Sequence, residues 1–481
     1  MPSSKRNAGL CLLIAAALVL GADYWLYSAR GFLRHYGYGM QEGQVVAKMD
    51  RARIQASVAD VIFLGSSTIR CNIASRPFLD AGLLPLNLGV TGGGPLYSYY
   101  ALKALAPVLE RRSTKPVLVL EVSAVAMQVA PGSIWSEYQH LFAVARSRFE
   151  IAHDFPALYS NFRTYDQTSL FLATWALPSL SYRAVAPAVG GLPVSELPML
   201  FGTGRGMNMP YLAIEDPWGY APLYETETIQ QAVNPPVMWN IAPCKRQFLR
   251  ATVQLAHRLG MPVVLLESTV IGFGTPPDAV FEEAAHEAPG ARAIRYKNCD
   301  FRREDFQDAH LNDWGADRLS ARLVAMLGLK GDKRKLEEKE HVAGDRADVP
   351  ATATWHLPQT GVSIATDESR AIVFDRKAGV PNEPAESPSF PTIPGTQYVL
   401  EFEVRDASGR VCVVIGPEGA PWQSGYNSAD TCTSDTMRWQ TPAARFYLRY
   451  TPQRSRSVIR VYCAGKANQA RVRMVSLFRE R

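Results

Sequence analysis

The chain has 481 residues, 47% of them hydrophobic and 20% charged, enough apolar material for two or three domains with cores of their own. Its net charge of +6 is spread over that length with no concentrated basic patch, which argues against nucleic acid as a partner. The seven cysteines form no Cys-x-x-Cys pair and no zinc spacing, so neither a metal nor a cofactor is expected.

At the N-terminus, Lys5 and Arg6 precede an apolar stretch from Ala8 to Leu20 that continues through Trp25, Leu26 and Tyr27. A basic flank before an apolar core fits a cleavable signal peptide or an uncleaved signal anchor. Leu20-Gly21-Ala22 is a poor cleavage site, and about 20 residues make one bilayer crossing, which favours the anchor. The expected order is a cytoplasmic tail over 1–7, a transmembrane helix over 8–28 and a polar stalk over 29–57, with the remainder outside the membrane.

From Val58 short apolar runs alternate with helical stretches. Strands are predicted over Asp60–Leu64, Leu84–Gly89, Pro116–Val122 and Pro262–Leu266. Helices are predicted over Pro95–Leu109, Phe248–Leu259 and Trp314–Leu327. Nearly continuous apolar strands alternating with helices indicate an α/β domain with a parallel sheet covered on both faces, here assigned to 58–328. The rhythm breaks over 131–239, an insertion rich in aromatics that include Trp135, Tyr138, Trp175, Trp218 and Tyr220. It packs on the sheet, forms a lid or wall over a site, or does both.

A charge run dominates the segment 329–350, read as a solvated linker with room for a brief helix. Beyond it the period becomes two. Gln397–Val404, Arg410–Ile415, Arg445–Tyr450, Val458–Tyr462 and Val472–Phe478 read as short strands of a β-sandwich over 351–481. Cys412, Cys432 and Cys463 lie in this region, and two of them are disulfide candidates in an oxidising compartment, with no pairing fixed by the sequence.

Two constellations carry chemistry. Leu64-Gly65-Ser66-Ser67 ends an apolar strand in a tight turn, and Asp308-Ala309-His310 precedes the helical stretch at 314–327. A serine hydroxyl needs a base to accept its proton, and the base needs a partner to fix its tautomer. Ser66 or Ser67 is thus a candidate nucleophile, His310 the base and Asp308 its orienter. The Gly-rich run Asn87 to Gly94 offers backbone donors for an oxyanion.

These blocks resemble the SGNH/GDSL hydrolases and acyltransferases. The family's strand followed by Gly-Asp-Ser is matched by Gly65-Ser66-Ser67, which puts Ser67 at the nucleophile position. Its Asn-x-Gly-x-x-Gly block matches Asn87 through Gly92 and makes Gly92 an oxyanion donor, and its final Asp and His match Asp308 and His310. The Gly-Ser-Ser variant and the ending His310 to Gly315 look like the membrane-anchored acyltransferase branch, which includes proteins of alginate acetylation and teichoic acid D-alanylation. Two departures stand out. Ser123 occupies the region where the family carries an oxyanion Asn, so either its hydroxyl substitutes as donor or the hole uses fewer donors. The family's Asp lies three residues before His, a position held here by Gln307, so Asp305 is the fallback to Asp308.

The C-terminal region resembles a jelly-roll carbohydrate-binding module, with Trp422, Tyr426 and Trp439 as candidate sugar-stacking residues. The resemblances together imply a single-pass protein of the bacterial inner membrane whose periplasmic domain O-acetylates a polysaccharide through a serine acyl-enzyme. A multi-spanning membrane protein would then supply the acyl group. A carbohydrate esterase using the same Ser–His site, and a catalytically silent glycan-binding scaffold, are the alternative expectations.

Overall fold

The computed structural model describes, with short interruptions, residues 41–127, 215–223, 241–295, 305–376, 383–419, 429–432 and 444–480, and isolated positions near 11–18, 150–155 and 301. Most of the expected anchor at 8–28, most of the insertion at 131–239, and Asp308, Trp422, Tyr426 and Trp439 lie outside the described residues. Among the described residues, no helix is long and apolar enough to cross a membrane.

Helix α1 (Gln41–Gln55) leads into strand β1 (Val61–Leu64), helices α2 (Ser67–Asn72) and α3 (Arg76–Asp80), strand β2 (Pro85–Asn87) and helix α4 (Pro95–Glu110). Strand β3 (Val117–Val122), the short α5 (Ala124–Met127), α6 (Pro243–Arg258), β4 (Val263–Glu267), α7 (Asp278–His286) and β5 (Arg292–Ile294) follow. The five strands form one parallel sheet in the order β2-β1-β3-β4-β5. Their near-continuous apolar character follows from cover on both faces. Ile62 and Leu64 of β1 join the core under α4 and α6, while Val61 and Phe63 join the opposite core under α2, α3 and a later helix. Leu118 and Leu120 against Val119, and Val263 and Leu265 against Val264 and Leu266, repeat that alternation. Each such side chain fully buried contributes roughly 1.5–3 kcal/mol. The strand order reverses between β1 and β3, and in open α/β sheets the crevice at the carboxyl ends beside such a switch point is where ligands bind.

A two-stranded hairpin, β6 (Phe306–Gln307) and β7 (His310–Leu311), then precedes helix α8 (Asp313–Leu327). The charge run expected as a solvated linker forms helix α9 (Lys333–Ala343). Leu336 and Ala343, spaced seven residues apart on one side, enter a small core with Leu84, Trp218, Val399 and Phe478. Lys339 reaches both carboxylate oxygens of Asp60, at 2.6 and 2.8 Å.

Among the described residues, the C-terminal region is an antiparallel, sandwich-like β-structure of nine strands, β8 (Gly344–Ala347) through β16 (Arg456–Glu480). Its two longest strands, β13 (Tyr398–Pro417) and β16, pair along most of their length. The separate strands expected over 397–404 and 410–415 are one strand here, with register shifts between Arg405 and Arg410. Bulges let the ladder continue through polar residues that read as a break in sequence. Phe402 and Phe446 stack with centroids 5.4 Å apart inside this core. Cys412 is disulfide-bonded and stands opposite Cys432 in register, and Cys463 is buried in the same core.

Candidate functional site

The chain leaves β1 through Gly65 and enters α2 with Ser66 as N-cap, its Oγ accepting the Thr68 N–H at 3.2 Å. Ser67 is the first helical residue, so its side chain projects from the carboxyl edge of the sheet. His310 arrives there from 243 residues away, and its Nε2 lies 2.8 Å from Ser67 Oγ. The two residues singled out in sequence as candidate nucleophile and base are therefore brought into hydrogen-bond contact.

The imidazole is placed by backbone pinning. Asn72, at the end of the same helix that begins with Ser67, accepts the Leu311 N–H on Oδ1 at 2.9 Å. The Asn312 N–H donates to the Asp305 carbonyl at 2.8 Å, and the Asn312 side chain caps α8 by accepting the Gly315 N–H at 3.1 Å. The Ala74 N–H reaches Ser320 Oγ at 2.8 Å, a second tie between the two segments. The fallback orienter Asp305 is buried, and its carboxylate makes an ion pair with Arg318. Asp308, the first choice for that role, lies outside the described residues.

Sequence reasoning missed Glu121. This carboxylate interrupts the otherwise apolar run of β3 one residue before its end, is buried, and sits beneath the turn at Ser66. It accepts the Ser66 N–H at 2.5 Å and the Ser66 hydroxyl at 2.9 Å. Burial pushes its pKa up, against the lowering effect of hydrogen bonds from Ser123, Ser66 and Thr68. Gly65 is small for the same reason: a Cβ there would collide with Glu121 Oε2 and lie 2.6 Å from Ile69 Cγ1. A lone charged residue in a strand of Val and Leu was the available signal.

The second block wraps the same turn. Asn87 holds α2 by donating from Nδ2 to the carbonyls of Ile69 and Ile73, and its Oδ1 accepts the Gly89 N–H at 3.0 Å. The Val90 N–H donates to the Gly65 carbonyl at 3.1 Å. Gly92, the expected oxyanion donor, lies in this loop with φ 70°, a left-handed conformation that suits glycine. Ser123 is buried, and its hydroxyl accepts the Ala126 N–H at 3.1 Å while bonding to Glu121. A hydroxyl has one proton to give. At Ser123 the Glu121 carboxylate is a nearby acceptor for that proton.

A buried ionic cluster backs the helix. Arg70, one turn beyond Ser67, donates to Glu215 at 2.9 Å and to Thr91 Oγ1 at 3.3 Å, beside Gly92. Lys48 of α1 meets Glu215 at 2.9 Å and donates to the Gly89 carbonyl at 2.7 Å. Burial alone would raise the Glu215 pKa, but Lys48, Arg70 and Arg51 hold it at about 2. Desolvation dominates at Lys48 and lowers it to about 8. Asp313, first residue of α8, accepts the Tyr220 hydroxyl at 2.8 Å, and burial with Asp317 nearby raises its pKa to about 7.

No protein-family model matches the sequence, and no curated protein matches it. Among solved structures the chain is similar to carbohydrate-binding modules, the class named above for its C-terminal region. One, described as CBM4, shares 15% identity at a TM-score of 0.20, over 25% of this chain and 79% of that one. The CBM22-1 xylan-binding domain of Paenibacillus barcinonensis Xyn10C shares 10% at 0.21, over 29% and 97%. A third, TmCBM61 in complex with β-1,4-galactotriose, shares 15% at 0.20, over 27% and 90%. At those identities and TM-scores the likeness carries no argument about activity.

Proposed function

We propose that the chain is a serine acyltransferase of the SGNH type that O-acetylates a polysaccharide outside the cytoplasmic membrane. The observation that carries this reading is the 2.8 Å contact between Ser67 Oγ and His310 Nε2 at the carboxyl edge of a parallel sheet. In the proposed cycle His310 takes the Ser67 proton as the hydroxyl attacks a donor acyl group, and the donor leaves with that proton. The acyl-serine is then attacked by a sugar hydroxyl, whose proton passes to His310 and on to Ser67. The N–H groups of Gly92 and Ser67 hold the oxyanion of each tetrahedral intermediate. The donor is an acylated, multi-spanning membrane protein, and the sandwich-like region holds the glycan through Trp422, Tyr426 and Trp439. The disulfide at Cys412 supports an oxidising, periplasmic compartment, with the chain held in the inner membrane by the segment 8–28.

The test incubates the purified full chain with 4-nitrophenyl acetate, with and without an oligosaccharide acceptor. Acetylated sugar that disappears in Ser67→Ala and His310→Ala supports transfer. Free acetate alone, lost in the same variants, replaces the reading with an esterase. No turnover above the Ser67→Ala background in either condition sinks the catalytic reading and leaves a glycan-binding scaffold.

A further inference from the structure

A cavity of about 750 Å³ opens at the opposite end of the sheet from Ser67, where Asp60, Leu83 and Thr114 lie on the segments that enter β1, β2 and β3. Its lining gathers five cations, Arg111, Arg112, Lys330, Lys335 and Lys339, against two carboxylates, Asp60 and Asp332. Charge that is dispersed along the sequence is thus concentrated in space, because α9 folds the run at 330–339 back onto the turn after α4.

The floor is rigid. Arg112 donates to the carbonyls of Ala56 and Ala59 at 2.8 and 2.6 Å, and Lys339 is fixed on Asp60. The chain segments at Gly82 and Gly331 cross so closely that a Cβ on Gly331 would overlap the Ala81 and Gly82 backbone, and the Asp332 N–H donates to the Gly82 carbonyl at 3.2 Å. Asp332 spends its side chain on capping α9, accepting the Arg334 N–H at 3.0 Å. The rim differs: Arg111, Lys330 and Lys335 are exposed, and among the described residues no acidic side chain pairs with them. A concave surface on which cations outnumber carboxylates five to two focuses a positive field on whatever enters.

We propose that this cleft binds a phosphate group carried on a small polyol, whether a soluble sugar phosphate or the headgroup of an anionic phospholipid. Arg111 offers a planar fork that matches two phosphate oxygens, and the two lysines supply point charges that do not demand one geometry. Ser113 and Thr114, which also line the cleft, add hydroxyl donors. The volume falls within the range of small-ligand sites and exceeds what a bare phosphate fills. The site shares no residue with the Ser67 centre, so it stands or falls independently of the acyl-transfer reading.

The experiment uses the full chain in a non-ionic detergent. Binding is measured calorimetrically with glucose 6-phosphate, and separately with micelles doped with phosphatidylglycerol or with phosphatidylcholine. Saturable binding of glucose 6-phosphate identifies a soluble source, and saturation only by phosphatidylglycerol micelles identifies a lipid source. Either supports the site, provided that Arg111→Ser/Lys330→Ser/Lys335→Ser weakens binding about tenfold or more and Lys333→Ser/Arg334→Ser, on the same helix but outside the lining, does not. Absence of saturable binding by both probes, or an equal loss in the two variants, overturns the proposal.

Discussion

Replacing Gly65 by Ala tests how Ser67, the proposed nucleophile, is held. The added Cβ would lie 2.6 Å from Ile69 Cγ1 and 2.7 Å from Glu121 Cβ, besides overlapping Glu121 Oε2. Ordinary carbon contacts begin near 3.5 Å, so the turn or the Glu121 side chain must yield by roughly 1 Å. Overpacking of that kind costs about 1–3 kcal/mol. If Glu121 moves away, the buried Ser66 N–H loses its acceptor, which adds about 1–3 kcal/mol. The expected total is about 2–6 kcal/mol by urea denaturation. A displacement near 1 Å at a reacting group also costs about 10² in rate, read as hydrolysis of 4-nitrophenyl acetate. Gly395→Ala is the control. Its φ of 77° makes Ala strained, yet no atom lies within 4 Å of the new Cβ, so stability falls by about 1–2 kcal/mol and turnover is unchanged. If Gly65→Ala keeps both wild-type stability and wild-type turnover, the packing of Gly65 on Glu121 does not place Ser67 and that account is refuted.

Asn72→Ala strips the Leu311 N–H of its acceptor and loosens the His310 strand. A stability loss of about 1–3 kcal/mol is expected, together with a fall in kcat larger than any rise in KM. Asp313 and Asp216 hold protons in the folded protein, with pKa values raised by burial to about 7 and about 6, which the unfolded chain releases near 4. Stability therefore falls as pH rises from about 4 toward 7, by at most about 1.4 kcal/mol per unit for each group, and levels off above. Asp313→Asn flattens the upper part of that decline in thermal unfolding followed across pH. Glu215 behaves oppositely: held at about 2, its stabilising ionisation is lost as pH drops below about 4. Lys48→Met leaves that carboxylate with less compensation and costs about 3–5 kcal/mol in urea unfolding, whereas Lys48→Met combined with Glu215→Gln costs less.

The parts of the site legible in sequence were those written in local pattern. Val61–Leu64 followed by Gly65 and Ser66 announces a buried strand and a capped turn, because apolar continuity and small polar residues each have a local physical cause. His310 was legible by its place before a helix start that Asn312 caps. Glu121 was not, since its partners lie 55 residues earlier and become neighbours only when β3 pairs with β1. Asn72 and Arg70 read as ordinary helix residues for the same reason. In the charged linker, Leu336 and Ala343 alone give the short helix α9 a face to bury, and most of its lysines remain exposed.

The segment 215–223 shows why an irregular stretch matters to the architecture. Glu215 closes the ionic cluster behind α2, the Trp218 carbonyl accepts the Asn87 N–H at 2.8 Å, and the Leu223 carbonyl accepts the Asp313 N–H at 2.7 Å. On its other side, Arg449 of the strand Ala444–Tyr450 donates to the Asp216 carbonyl at 2.9 Å, and the Trp218 ring meets Phe478 at 5.8 Å. One segment thus touches the Ser67 helix, the loop of Gly92, the start of α8 and the C-terminal β-structure. A glycan held on that β-structure would be presented to Ser67 at a set distance only while this wedge is packed. Trp218→Ala removes a buried indole and costs about 3–5 kcal/mol at the junction. Limited proteolysis should then cut between α9 and β8 faster than in the native chain. Hydrolysis of a small acetyl ester should persist, while acetylation of a polymer falls steeply. Equal losses in both reactions would mean that Trp218 supports the Ser67 centre itself, and unchanged proteolysis would mean that the junction does not depend on it.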